Sequence, residues 1–203
     1  MSEGESFFPP PEILPEPGIV VIGRFQPLHL GHTELIRKAN DFRCSKFPHL
    51  SLIVAIGSAN KIQSIQDPWS ADERSEMIRS WLEENSISAE ITMIPDIDDP
   101  PNWVSHAEKY HGKSGILVTS DEKLAELYHK SNWQSTKVAL TNRDSLQGWR
   151  IRATLQMIST IDDENAIHSI LKSSIPESVI NYLISNDLIR RLATLGGGGE
   201  PVG

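Results

Sequence analysis

Five short β-like runs, alternating with stretches of helical spacing, constrain this chain more than any other feature of its sequence. The runs are Gly18–Ile22, His49–Gly57, Ala89–Ile94, Gly115–Thr119 and Thr136–Leu140. The first is apolar throughout and short, which suits a strand buried on both faces. A helix is expected over Gly31–Asn40, and another opens at Ser70, where Ser70 and Glu73 form a capping box ahead of Met77, Ile78, Trp81 and Leu82. Pro101–Tyr110 reads as a helix entered through its proline, and Asp121 can cap one carrying Leu124, Leu127 and Tyr128. Beyond Asp144 the pattern is wholly helical, over Ile151–Ile158, Asp162–Leu171 and Pro176–Leu192, with Pro176 as a first helical residue. This predicts an α/β fold: a doubly wound parallel five-stranded sheet with a helical C-terminal portion. Ligands of such sheets sit beyond the carboxyl ends of the strands. The turn after the first run is therefore the place to look.

The 203 residues suit one domain. Residues 1–17, with five prolines, read as a flexible lead-in; 18–195 form the domain; the glycine-rich 196–203 read as a flexible tail. The formal charge of −8 excludes a nucleic-acid-coating role, which needs basic surface. It does not exclude a nucleotide substrate, whose phosphates can be met by one local turn. A single cysteine, Cys44, rules out an intrachain disulfide and a cysteine-based zinc cluster. His106, His111, His129 and His168 lack metal-site spacing with carboxylates, so no protein-held metal is expected. No apolar run approaches the roughly 20 residues of a membrane span, and the N-terminus lacks a signal-peptide pattern. A cytoplasmic location is expected, without membrane or nucleic-acid partners.

The turn after the first run reads Gly23-Arg24-Phe25-Gln26-Pro27-Leu28-His29-Leu30-Gly31-His32. A helix starts here, and a helix N-terminus presents unpaired N–H groups and partial positive charge to an anion. Gly31 has no side chain to block a phosphate, the imidazoles of His29 and His32 can donate to phosphate oxygens, and Arg24 can grip them bidentately. Composition alone would yield about 0.015 accidental His-x-Gly-His matches in a chain like this. Histidines that merely cap or pack the helix are the weaker reading.

With this motif the chain resembles the nucleotidylyltransferases, and further stretches make it similar to the archaeal-type nicotinamide-mononucleotide adenylyltransferases. These are Gly57-Ser58-Ala59, Ser64 to Trp69 leading into Ala71-Asp72-Glu73-Arg74, Asn102-Trp103-Val104 with His106, the trio Gly148, Ile151 and Arg152, and Ile175 to Val179. The likeness runs from about Gly18 to Leu192. It implies a Rossmann-like nucleotidylyltransferase fold that transfers AMP from ATP to nicotinamide mononucleotide, giving NAD and pyrophosphate. Catalysis would rest on Arg24, His29, His32 and Arg152, with Gly23, Phe25, Gly31, Ser120, Gly148 and Ile151 completing the ATP site. The mononucleotide would meet Gln26, Gly57, Ser58, Asp98, Asn102 and Trp103, the last as a platform for its cationic ring. Mg²⁺ would enter with ATP, held by phosphates and waters. The family's habit also implies a homo-oligomer.

Some positions depart from that family's pattern. Gln63 and Gln66 stand where it has a histidine and an arginine, and Gln147 and Trp149 flank Gly148 where it has hydroxyls. Thr119-Ser120-Asp121 replaces Ser-Gly-Asn. Two other readings stay open: a related transferase with a different phosphorylated acceptor, or a nucleotide-binding sensor or scaffold that has lost turnover.

Overall fold

The computed structural model describes residues 8–196; the expected flexible ends over 1–7 and 197–203 lie outside the described residues. Residues 8–17 run without helix or strand, and Tyr110 Oη donates to the Phe8 carbonyl at 2.9 Å. Gly196 closes the last helix. The chain forms two compact units.

The first unit gathers residues up to Arg24 with Glu34–Lys61 and Ile87–Leu140, and it holds the whole sheet. Its strands are β1 (Gly18–Gly23), β2 (Ser51–Ile56), β3 (Glu90–Met93), β4 (Ile116–Thr119) and β5 (Gln134–Lys137), all parallel, in the order β3-β2-β1-β4-β5. This is the expected doubly wound sheet. β1 is central, with Val20 opposite Ile53 on one side and Leu117 on the other, which is why its sequence is apolar at every buried position. Sequence order reverses between β1 and β4, so their carboxyl ends form the switch point at which such sheets bind ligands. Helices α3 (Trp103–His111), entered through a 3-10 turn at Pro100–Asn102, and α4 (Glu122–Lys130) cover the sheet. Val104, Ala107 and Tyr110 of α3 and Tyr128 of α4 join Val20, Ile53, Ala55 and Leu117 in one core. Each large side chain buried there contributes about 1.5–3 kcal/mol. β5 lies two residues earlier than the apolar pattern suggested. As an exposed edge strand it needs no apolar face, and its pairing, Thr119 opposite Lys137, sets its position.

The second unit joins Phe25–Thr33, Ile62–Ser86 and the chain from Thr141 onward. Helix α1 (Leu30–Lys46) has its first turn here and its remainder in the first unit. Helix α2 (Ala71–Glu84) starts at the expected capping box and buries Met77, Ile78, Trp81 and Leu82. Then come α5 (Gly148–Met157), α6 (Glu164–Leu171), α7 (Glu177–Ser185) and α8 (Arg191–Gly196). Pro176 is the residue before α7, at ψ 151°, and not its first helical residue. The expected helix Pro176–Leu192 is broken in two. Asp187 takes a left-handed φ of 54°, and the N–H groups of Leu188 and Asp187 bond back to Leu183 and Ile184, a Schellman end. Asp tolerates that conformation, so no glycine was there to signal the stop. Among the described residues, no helix is long and apolar enough to cross a membrane.

Candidate active site

In the second unit the turn Phe25–His29 is clamped from both sides. Gln26 donates its amide to the Trp69 carbonyl at 2.8 Å and accepts from the Trp69 N–H at 3.1 Å, closing a ring like a rung of β-ladder. Its own carbonyl accepts from Arg152 Nη1 at 3.0 Å. Both polar atoms of the Gln26 side chain are thus committed to holding the turn. Phe25 is buried and meets the His32 ring edge-on at 4.8 Å between centroids. The Leu30 N–H bonds the Ser174 carbonyl at 2.9 Å, pinning the start of α1.

On this frame the rings of His29 and His32 stack, 3.6 Å between centroids and 26° apart in plane. Gly31 makes room for the stack. A Cβ there would sit 3.2 Å from the His29 ring and 3.5 Å from Leu146 Cβ, so the missing side chain first serves the histidine. Burial, with the Arg152 charge second, lowers the His29 pKa from its ordinary 6.5 to about 4. Burial and then His29 hold His32 well below its ordinary value, against an upward pull from the Pro27 carbonyl. Both rings are therefore neutral at physiological pH. The Nδ1 of each is sealed from solvent and makes no hydrogen bond of normal geometry among the described residues. As neutral N–H donors stacked beside a guanidinium, these rings suit phosphate oxygens.

Helix α5 brings Arg152 to this turn. Gly148 is its first residue, and a Cβ there would come 3.2 Å from Arg152 Nη1. Gln147, at the N-cap, makes no side-chain cap bond, so the first-turn amides of α5 keep their capacity for an anion. Ile151 is turned into the core with Leu155, so its side chain packs the helix in place.

The first unit carries the other expected residues. Gly23 ends β1 and exposed Arg24 follows it, and the Gly57 N–H bonds the Gly23 carbonyl at 2.9 Å. Ser58 follows in a left-handed conformation, φ 53°. Ser120 lies between β4 and Asp121, which caps α4 through the N–H groups of Lys123 and Leu124 at 2.8 and 3.2 Å. Trp103, half-buried at the start of α3, lines a cavity of about 330 Å³ with Leu124, Leu127, Pro100 and the carboxylates Asp96, Asp98 and Asp99. Asn102 donates to Asp99 at 2.8 Å, and Lys61 stands 3.6 Å from both Asp96 and Asp98. An aromatic face under an acidic rim is complementary to a flat organic cation.

Residues 20–174 match the Cytidylyltransferase-like family. The nicotinamide-nucleotide adenylyltransferase of Methanococcus maripaludis is 33% identical over 175 residues, covering 86% of this chain and 93% of its own length. The chain belongs to this adenylyltransferase family. The member from Picrophilus torridus is 30% identical over 179 residues, covering 86% of this chain and 95% of its own. In fold, the chain is similar to a bifunctional NMN adenylyltransferase/ADP ribose pyrophosphatase from Francisella tularensis, with a TM-score of 0.63 at 23% identity over 88% of this chain. It spans about half, 53%, of that longer chain.

Seen as an adenylyltransferase, the chain has its departures in definite places. Gln63 Nε2 approaches Glu73 Oε2 at 3.4 Å, and Gln66 is exposed. Trp149, 58% exposed, has the Arg150 guanidinium 4.9 Å from its ring centre, which sets a cation in the first turn of α5. Lys61, by contrast, is committed to the aspartate loop. One supporting pair escaped sequence reasoning. Glu73 accepts two bonds from Arg191, both 2.7 Å, besides one from the Ser70 N–H at 2.8 Å. Burial pushes the Glu73 carboxyl up, but Arg191 and Ser70 outweigh it and hold it below its usual value. The capping box marked Glu73; nothing local marked a partner 118 residues away.

Proposed function

We propose that this chain transfers AMP from ATP to nicotinamide mononucleotide, releasing NAD and pyrophosphate. The observation that carries the reading is the stacked, neutral His29–His32 pair at the start of α1 with Arg152 beside it; family membership supplies the acceptor. An oxygen of the mononucleotide phosphate attacks the α-phosphorus of ATP. That P–O bond forms as the bond to the bridging oxygen breaks, and pyrophosphate leaves with the electron pair. The nucleophile is already ionised, so no general base is required. His29 and His32 donate to phosphate oxygens and stabilise the charge that grows on the leaving group. Arg152 and Arg24 brace the phosphates. The cavity beneath Trp103 takes the pyridinium ring, with Asp98 and its neighbours answering its charge.

Among the described residues no cluster of three or more His, Cys, Asp or Glu is placed to hold a metal ion. In this reading Mg²⁺ arrives on the triphosphate, where it would neutralise phosphate charge. The reading also takes the chain as a homo-oligomer of the cytoplasm, supported by resemblance to its family.

Incubation with ATP, Mg²⁺ and nicotinamide mononucleotide is expected to yield NAD and pyrophosphate in equal amounts. Folded protein that makes no NAD, or that turns over only with another phosphorylated acceptor, refutes the assignment. In the same assay Trp103→Ala is expected to raise KM for the mononucleotide about 10-fold, in line with a desolvated cation–π contact, and to leave KM for ATP unchanged. Equal changes in both would make Trp103 a packing residue only.

A further inference from the structure

Tyr128 is fully buried in the core of the first unit, yet carries a hydroxyl that must find a partner there. It finds His111, also fully buried, whose Nε2 lies 2.7 Å from Tyr128 Oη. The other ring nitrogen, Nδ1, lies 2.9 Å from the Gly112 carbonyl. A carbonyl only accepts, so Nδ1 bears the ring proton, Nε2 is bare, and Tyr128 is the donor. Burial favours this arrangement by holding His111 below its ordinary pKa, against the upward pull of the Gly112 carbonyl and Glu108. The direction of the whole chain, phenol to imidazole to backbone, is thereby set.

The hydrogen bond ties α4, which carries Tyr128, to the last residue of α3. Trp133 closes over it, edge-on to His111 at 5.0 Å and to Tyr128 at 5.1 Å, with its own N–H on Glu108 Oε1 at 2.8 Å. The first residue of α3 is Trp103, and the Tyr128 ring meets it edge-on, 6.2 Å between centroids and 68° apart in plane. Leu124 and Leu127, on the same turns of α4 as Tyr128, line the cavity together with Trp103.

We propose that Tyr128, locked by His111, is a positioning residue that sets the plane of the Trp103 ring, and so the fit of the mononucleotide's aromatic ring in the cavity. The inference rests on the assignment of that cavity to the mononucleotide. Tyr128 touches no substrate; it acts through Trp103. A phenylalanine in its place would fill the same space but lose the hydrogen bond that fixes the edge of the ring on His111, and a bare buried imidazole nitrogen would be left behind.

The test is Tyr128→Phe in the NAD-forming assay, alone and combined with Trp103→Ala, beside fluorine NMR of protein labelled with 5-fluorotryptophan. The Trp103 resonance is assigned as the one lost in Trp103→Phe. Tyr128→Phe is expected to raise KM for the mononucleotide about 5-fold, the worth of one hydrogen bond, with kcat and KM for ATP unchanged. In the Trp103→Ala background it is expected to add nothing. The Trp103 resonance shifts while that of Trp149 stays. His111→Leu removes the same bond from the other side and should shift the same resonance, so either variant that folds decides the matter. An unmoved Trp103 resonance, or an equal rise in KM with and without Trp103, overturns the proposal. Should no NAD form, or Trp103→Ala leave KM unchanged, the assignment of the cavity fails, and the fluorine resonance still judges the positioning by itself.

Discussion

His29→Ala is expected to lower kcat about 100- to 1,000-fold, the usual cost of removing one preorganised donor to a developing oxyanion. KM for ATP should move much less. The asymmetry follows from the state of the ring. With a pKa near 4, His29 is neutral at working pH and contributes a single N–H dipole to ground-state ATP rather than a charge. Its worth grows only as charge accumulates on the departing pyrophosphate, so kcat and kcat/KM should fall together. The low pKa is built by the turn itself: the Gln26–Trp69 clamp and the missing side chain at Gly31 keep the ring buried against His32. Gly31→Ala, which presses a methyl on that ring, should therefore lower kcat in the same direction with His29 still present. Steady-state kinetics on both variants checks this. A fall in ATP affinity with kcat preserved would make His29 a ground-state ligand and not a stabiliser of the leaving group.

What could be read in the sequence follows from what each feature depends on. β1 and the motif after it were legible because both are local: a strand between two neighbours must be apolar throughout, and a helix start with histidines and a glycine keeps its meaning wherever it lies. β5 was displaced because an exposed edge strand, Gln134–Lys137, is defined by backbone pairing that leaves no hydrophobic trace. The break after Ser185 was hidden because Asp187 adopts the left-handed turn without a glycine. At the candidate site, residue types were legible and their duties were not. Gln26 reads as a ligand in the sequence, and only the structure adds that its amide clamps Trp69; Gly31 reads as space for a phosphate, and only the structure adds that it also makes room for the His29 ring. Duties of that kind are decided by packing in three dimensions, whether the partner is two residues away, as His29 is from Gly31, or 43 away, as Trp69 is from Gln26.

The same buried histidines predict that the protein loses stability on mild acidification. Above pH 6.5 His29 is neutral in both the folded and the unfolded chain, and proton binding favours neither. As the pH falls through 6.5 the unfolded chain takes up a proton that the folded chain, with its pKa near 4, refuses. Unfolding then gains ground until the folded ring also protonates, near pH 4. The gap between the two values corresponds to about 3 kcal/mol. His32 and His111, both lowered chiefly by burial, push in the same direction. Glu73 works in a lower window: its carboxyl is held below the ordinary 4.5, so its contribution is present above that value and is lost as the pH drops through the folded one. Urea unfolding at pH 7.5, 6.5, 5.5 and 4.5 should show little loss over the first step and a steady loss over the two steps below pH 6.5. His29→Gln, which cannot titrate, should flatten the curve even after its neighbour relaxes, because removing one ring lifts only the like-charge part of the depression of His32 and leaves its burial. An equally steep curve in that variant would mean that the acid sensitivity lies elsewhere, and that His29 is not buried neutral in the folded protein.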